Sequence, residues 1–538
     1  MDHHRDQQAR IIQHNPEGTI FSVFFINIKM KRDGACTSLW QDTGVEITGL
    51  SNPIKERDFD VVVAGAGITG ITTGLLLQKA GKRVLITEAK SIGFGTTGGT
   101  TAHLNTFLDT PYYSIQSKFG NSNALLTAKA VQDALNLIRH HVNEYRIDCG
   151  YKQLSAYLFS QDEKQTKELE DIYKSAKECQ VKCSMASEIP VLISFEKAIE
   201  FPGQATFHPL RYISSLVTAF EKAGGVLLED CRVQSVEEGQ PHLVQTSRGN
   251  FKAEYFIYAT HIPPGVNLLH FRCAPYRSYA MAVRLKNKQD YPGSLVYDMY
   301  DPYHYYRTQE IDGELYFIVG GEDHKTGHEE NTNQCFTKLE AHVKKHFPVQ
   351  AITHRWSSQY FEPNDGIPYI GNLPGHPQNM YVATGYGGNG MIYSAVAAIT
   401  LSEMIVAGQS EYQDLFNPNR IKPIAGFTNF VKESADVVGK LLGKLLPGEK
   451  LTELVDLAAG EARVVKYEGE KIAAYKDDNG KVYALNSACT HIKCDVAWNN
   501  AEKTWDCPCH GSRFSYTGEM VTGPARKDLE IIKLEDSK

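Results

Sequence analysis

Apolar positions change their period several times along the chain, and those changes divide it. Residues 1 to about 55 mix His, Gln, Arg and Asn with little periodicity, which predicts a partly disordered leader with Met30 as a candidate start. From Phe59 the pattern tightens into an apolar strand (59–64), a glycine-rich turn, a helix (69–80) and a second strand (83–87). This is a βαβ opening, and it forecasts a parallel sheet. Helical periods follow at 122–146 and 161–179, strand-like runs at 226–236, 243–246 and 253–259, and a further helix at 393–406. Between about 411 and 455, Pro418, Pro423 and Pro447 flank an amphipathic stretch, 434–446. That region reads as a linker holding one helix docked on the protein. From Ala462 short alternating strands at 462–467, 471–476 and 481–486 are separated by turn residues, which marks a small β domain.

Composition narrows the classes without choosing among them. The 538 residues are 42% hydrophobic and 22% charged, enough for two to four globular domains with a large core. A net charge of -7 without a basic run argues against nucleic acid as a partner and leaves small molecules and proteins. No apolar stretch approaches a bilayer span, so no transmembrane segment is expected. Of eleven cysteines, seven are scattered from Cys36 to Cys335 without framework spacing, as reduced thiols of a cytoplasmic protein would be. The other four crowd between Cys489 and Cys509 and need another reason.

Gly65, Gly67 and Gly70 form a G-x-G-x-x-G directly after a strand and at the opening of a helix. There the turn is tight, a pyrophosphate can approach the backbone, and the helix N-terminus offers N–H groups. Glu88, at the end of the second strand, is placed to accept hydrogen bonds from ribose hydroxyls and disfavours a 2′-phosphate. NAD and FAD both remain open on this motif alone.

Two further stretches resemble the glycine/D-amino-acid oxidase family of FAD enzymes, over about 58–408. Gly95 to His103 is similar to the segment running along the flavin, which implies Thr96, Thr97 and Thr101 at the cofactor. Asp365 to Gly371, followed by Met380 to Met391, looks like the family's closing flavin site. There Gly385, Gly388, Asn389, Gly390 and Met391 precede a helix whose N-terminus would stabilise negative charge. The implied fold is an α/β FAD-binding domain (Rossmann-like, GR2-type) with an interleaved α+β substrate domain. Its cofactor-binding parts would be about 56–150, 200–270 and 360–410, and its substrate parts about 151–199 and 271–359. His103 does not fall where covalent attachment would be expected, so FAD is expected to be non-covalent and His103 a packing or hydrogen-bonding residue.

Cys489-x-His491 and Cys507-x-x-His510 pair two thiolates with two imidazoles. Such a quartet can hold structural zinc, although C-x-H is unusual there. It resembles the Rieske family over about 451–538, and that resemblance implies a small all-β domain (456–538) with a [2Fe–2S] cluster. Cys489 and Cys507 would sit on one iron, and His491 and His510 on the other. It also implies a Cys494–Cys509 disulfide, and a cluster cover at Gly523-Pro524-Ala525. Ser512 stands where high-potential relatives donate to a cluster sulfur. Phe514 stands where they carry a tyrosine, so the potential should lie below the top of the range.

Two signals stay ambiguous at this level. In the run Tyr303 to Arg307, Arg307 could clamp a substrate carboxylate with Tyr305 beside it, or the residues could simply pack on a sheet. Glu322-Asp323-His324 with His328-Glu329 reads as a glycine-flanked loop facing solvent rather than an iron site. The functional expectation is oxidation of an amine or amino-acid C–N bond, with electrons passing through the cluster to an external acceptor, a protein or a quinone. The alternatives are an O₂-using oxidase with a passive Rieske domain, and a redox-sensing flavoprotein without a metabolic substrate. No general base is visible.

Overall fold

The computed structural model describes residues 32–45, 56–420, 457–467 and 469–534. The linker helix expected at 434–446 and the first 29 residues of the leader lie outside them.

Strand Asp58–Ala64 is buried on both faces over its apolar run Val61 to Ala64 and lies parallel between Val84–Thr87 and Gly249–Tyr258. Val226–Leu228 and Met380–Thr384 extend the sheet in parallel on either side, and Tyr369–Asn372 closes one edge antiparallel. Helix Ile68–Lys79 returns across this sheet and packs on Gly390–Ala407. That second helix corrects the expectation of no span-length apolar stretch: by length and composition its 18 residues could cross a membrane. Here they are core, because Ile68–Lys79 and Asn121–Glu144 both pack against it.

A second sheet has nine strands, in the order Val349–Pro363, Cys273–Leu285, Glu314–Lys325, Tyr305–Ile311, Leu295–Tyr297, Lys152–Ser160, Lys197–Thr206 and His103–Leu104, with Ser184–Ala186 on Lys197–Thr206. Its membership shifts the expected boundaries. Residues 200–206 and 360–363 and His103–Leu104, expected among the cofactor-binding parts, belong to this sheet.

The C-terminal domain holds a three-stranded sheet (Ala462–Tyr467, Glu470–Lys476, Val482–Asn486) and a four-stranded one (Ala497–Asn499, Thr504–Asp506, Arg513–Ser515, Met520–Thr522). Trp505 and Phe514 are cross-strand partners at its centre and are fully buried.

Two expectations about connecting segments are corrected. The leader is not loose throughout to residue 55: Arg32, Leu39 and Trp40 are fully buried, and Leu39–Thr43 is a short helix with a Ser38 capping box. Ion pairs and apolar contacts with two domains hold it. Likewise the first ten residues assigned to the linker belong to the oxidoreductase body, where Arg420 makes a two-pronged ion pair with Asp365.

Candidate functional site

Gly65 ends its strand at φ +108°, where a Cβ would come within 2.5 Å of the Ala259 carbonyl oxygen. A Cβ on Gly70 would sit 1.9 Å from the Gly65 carbonyl oxygen, so the third glycine serves helix–strand packing. Gly67 differs: its Cβ would meet only Thr97 Oγ1 and would enter a cavity of about 770 Å³. Glu88 borders that cavity and is fixed there by the Ala66 and Lys90 amides, which donate at 2.8 and 2.9 Å. Burial nevertheless pushes its carboxyl up. Thr97 Oγ1 accepts from the Ile68 amide, Thr96 Oγ donates to the Gln359 carbonyl, and both line the cavity with Thr101. The residues expected to form the cradle thus border one cavity.

The closing stretch is more mixed. Gly388, Asn389, Gly390 and Met391 line the cavity, but Gly385 does not. Its φ is +72° and a Cβ would press on Cys273 Sγ at 3.0 Å, so it serves the turn. The Gly388 amide is also committed, since it donates to Asp109 Oδ2 at 2.9 Å, while Asn389 Oδ1 accepts from the Asp109 amide.

Farther along, the cavity is walled by Tyr297, Tyr303, Tyr305 and Tyr360. Tyr305 stands in the wall as anticipated, its hydroxyl 3.1 Å from Ser278 Oγ and its ring edge-on to His103. Arg307 does not reach the chamber, and its reading as a carboxylate clamp is corrected. Its guanidinium is fully buried, donates to the carbonyls of Thr101 (2.8 Å) and Ala102 (2.6 Å), and contacts Gln309 Oε1. Burial lowers it to about 9, and its donors brace the segment that carries Thr101.

Asp323 was missed. Glu322 to His324, read as part of a solvent-facing loop, instead belong to the strand Glu314–Lys325, with a register shift between Arg277 and Tyr279 and Glu322 at φ +59°. This bulge re-aims Asp323 into the chamber. Its Oδ2 accepts from the Tyr360 hydroxyl at 3.0 Å, Oδ1 is buried without a partner, and burial pushes the carboxyl up to about 7. The Gly320-Gly321 pair is the one sequence signal of such a bulge. Asp109 is pushed up to about 6 by burial. His103, expected as a packing or hydrogen-bonding residue, lines the chamber with Nδ1 against the Tyr297 hydroxyl, Nε2 buried without a partner, and its pKa well below normal through burial.

In the C-terminal domain the two predicted loops converge. The thiols of Cys489 and Cys507 lie within hydrogen-bonding reach of each other, and the rings of His491 and His510 are 5.1 Å apart and perpendicular. His491 Nδ1 and both nitrogens of His510 are buried with no partner. Two adjacent thiols and orphaned imidazole nitrogens are what a cluster with two sulfur and two nitrogen ligands would satisfy. Cys494 and Cys509 are bonded to each other. Ser512 Oγ accepts from the Ala525 amide, which ties the Gly523–Ala525 cover to the ligand loop, and Phe514 is fully buried.

The cluster loops dock on the flavin side. His491 Nε2 lies 3.0 Å from the Gly265 carbonyl oxygen, Gln359 Nε2 donates to the Gly511 carbonyl at 2.9 Å, and His270 and Phe271 meet the rings of His491 and His510 edge-on. Residues 520–523 and 525–527 of the cover form part of the wall of the same cavity that holds the dinucleotide cradle.

Comparison with known proteins agrees with this division. Residues 60–404 match the family model "FAD dependent oxidoreductase" (DAO), and residues 450–533 match the Rieske [2Fe-2S] domain. The chain is 32% identical over 485 residues to the Rieske 2Fe-2S iron-sulfur protein YhfW of Bacillus subtilis (strain 168), covering 89% of this chain and 94% of that one. It is 24% identical over 378 residues to the gamma-glutamylputrescine oxidoreductase of Escherichia coli (strain K12), covering 66% and 85%. Glycine oxidase from Geobacillus kaustophilus shares its fold, with a TM-score of 0.57 at 18% identity, over 68% of this chain and 99% of that one. A dinucleotide cradle opening a βαβ unit, a chamber on the second sheet and a Cys/His quartet docked beside them thus place the chain in the DAO family of FAD-dependent oxidoreductases, with a Rieske [2Fe–2S] domain at its C-terminal end.

Proposed function

We propose that the protein oxidises a C–N bond of an amine or amino acid and that the electrons leave through the Rieske domain to an external one-electron acceptor, a protein or a quinone. The observation that carries this reading is the shared wall: one cavity is bounded by Gly67 and Thr97 at one part and by the Rieske cover residues at another. A passive appendage would have no need of it. Bound FAD would take two electrons as hydride from the substrate carbon, and the cluster would take them one at a time.

The chain's own residues do the rest. The Ala66 and Lys90 amides fix Glu88 for the ribose, and Arg307 holds the Thr101 and Ala102 carbonyls so that this segment keeps its place. The tyrosine walls exclude water, and Asp323 Oδ1, near neutrality and unpartnered, can take the ammonium proton. The substrate carbon then loses hydride as its nitrogen lone pair forms the C=N bond, and water hydrolyses the imine to a carbonyl compound and an amine. A cytoplasmic location belongs to the same reading, supported by seven cysteines from Cys36 to Cys335 that form no disulfide.

Anaerobic titration of the holoprotein with amines and D- or L-amino acids, following flavin bleaching and cluster reduction together, tests it. Both signals should change in sequence with a true substrate. Bleaching without cluster reduction would contradict the route.

A further inference from the structure

We propose that the substrate is an amine with a second, non-reacting cationic nitrogen and no carboxylate, a compound of the diamine or polyamine class. This rests on the C–N oxidation reading above and sharpens it.

Four buried polar atoms of the described chamber lining have no partner: the oxygens Asn105 Oδ1 and Asp323 Oδ1, and Ser358 Oγ and His103 Nε2, which can each donate or accept. Asn105, 6% exposed, donates through Nδ2 to the Tyr297 hydroxyl at 2.6 Å and leaves Oδ1 buried without a partner. Asp323 leaves Oδ1 in the same condition. Buried acceptors of this kind call for a donor from the ligand. An ammonium brings only donors, whereas a carboxylate brings only acceptors.

Charge points the same way. Asp109 and Asp323 both face the chamber, and the charge of Asp109 adds to burial in raising the proton affinity of Asp323. The lysines and arginines among the described lining residues are placed elsewhere. Lys90 pairs with Glu519, Arg232 lies beside Glu88, and Arg526 donates to the Pro264 carbonyl, with Lys527 next to it in the Rieske cover. Arg307, the cation behind the tyrosine strand, is committed to backbone carbonyls. A substrate carboxylate would therefore meet two acids and no available cation. A cation would meet two acids and tyrosine faces that attract it.

Two carboxylates match two nitrogens with different fates. The reacting nitrogen gives up its ammonium proton to one acid before the carbon loses hydride to the bound flavin. The other nitrogen keeps its charge and its carboxylate partner throughout, and water completes the balance by releasing an aldehyde and either ammonia, from a primary amine, or an amine, from an N-substituted one.

The experiment uses anaerobic holoprotein. Flavin bleaching is compared for 1,4-diaminobutane, N-methyl-1,4-diaminobutane, n-butylamine, glycine, sarcosine, D-alanine and L-proline. Binding of 1,4-diaminobutane to holoprotein reduced beforehand with dithionite, which cannot oxidise it, is measured by calorimetry on the wild type, Asp323→Asn and Asp109→Asn. The expected result is bleaching by a diamine at concentrations roughly ten-fold or more below n-butylamine, none by the amino acids, and dication binding weakened roughly ten-fold in either folded variant. Bleaching by an amino acid but by no diamine would overturn the inference and leave C–N oxidation standing, as would n-butylamine matching the diamines or dication binding unchanged in both variants. No bleaching by any compound would remove the C–N reading and this inference with it.

Discussion

The guanidinium of Arg32, ahead of the first domain, is paired with the carboxylate of Glu502 in the Rieske domain, and neither side chain is exposed to solvent. Arg32 also donates to Asp33 and to the Ser357 carbonyl, both at 2.7 Å. Asp33 pairs with Arg513 at 2.9 Å and Arg513 with Asp506 at 3.0 Å, while Arg277 approaches Asp506 at 3.8 Å. Three arginines and three acids thus close a buried network across the leader, the second sheet and the cluster domain. The arginines hold Asp33 and Asp506 below the usual carboxylate range against the opposing effect of burial.

Removing one member leaves its partner charged and buried, which costs about 3–5 kcal/mol. Glu502→Gln should lower the unfolding midpoint and split the calorimetric transition into two as the Rieske domain undocks. A chain starting at Met30 should bind FAD and melt as the full chain does. One starting at residue 46 should behave like Glu502→Gln. A single unshifted transition in either damaged form would contradict the network's role.

The two glycines of the cradle should fail differently. Gly67→Val adds atoms that meet only Thr97 Oγ1 and otherwise enter the cavity, so the protein should fold, keep its cluster spectrum and lose FAD. Gly70→Val drives a Cβ to 1.9 Å from the Gly65 carbonyl oxygen and should lose soluble protein altogether. Flavin absorbance and the cluster's electron paramagnetic resonance signal, read on the same samples, separate these outcomes.

Asp323 makes a pH prediction for protein freed of FAD. Burial raises its carboxyl from 3.8 to about 7, so the folded state holds a proton there that the unfolded chain has released. Its contribution to stability is fully present below about pH 4 and is lost as pH rises through 7. Asp323→Asn should therefore gain stability relative to the wild type between pH 5 and 8. Denaturant midpoints at those two pH values measure it, and a constant difference would contradict the assignment.

The legible parts of this protein are those encoded locally. The glycine turn at Gly65–Gly70, the strand and helix bounds around it, and the convergence of Cys489, His491, Cys507 and His510 depend on spacing along a few residues of backbone. What escaped depends on distant chain. Arg307 has the chemistry of a carboxylate clamp, and only the tertiary fold gives its donors to Thr101 and Ala102. Asp323 faces the chamber because of a bulge whose only local mark is a glycine pair. Arg32 looked like part of a loose leader because its partners lie some 325 and 470 positions away.

The most direct test of the exit route is rapid mixing of substrate with His510→Cys under anaerobic conditions. A thiolate in place of neutral imidazole adds negative charge to one iron and lowers the cluster potential, each ~60 mV of a one-electron step changing the equilibrium ten-fold. The His510 ring is in the Rieske domain, outside the chamber lining, so substrate-driven flavin bleaching should proceed at the wild-type rate. In the variant, with its cluster verified as assembled, the cluster should stay oxidised and the acceptor should receive few electrons. Acceptor reduction at the wild-type rate in that variant would contradict the Rieske domain as the route by which electrons leave.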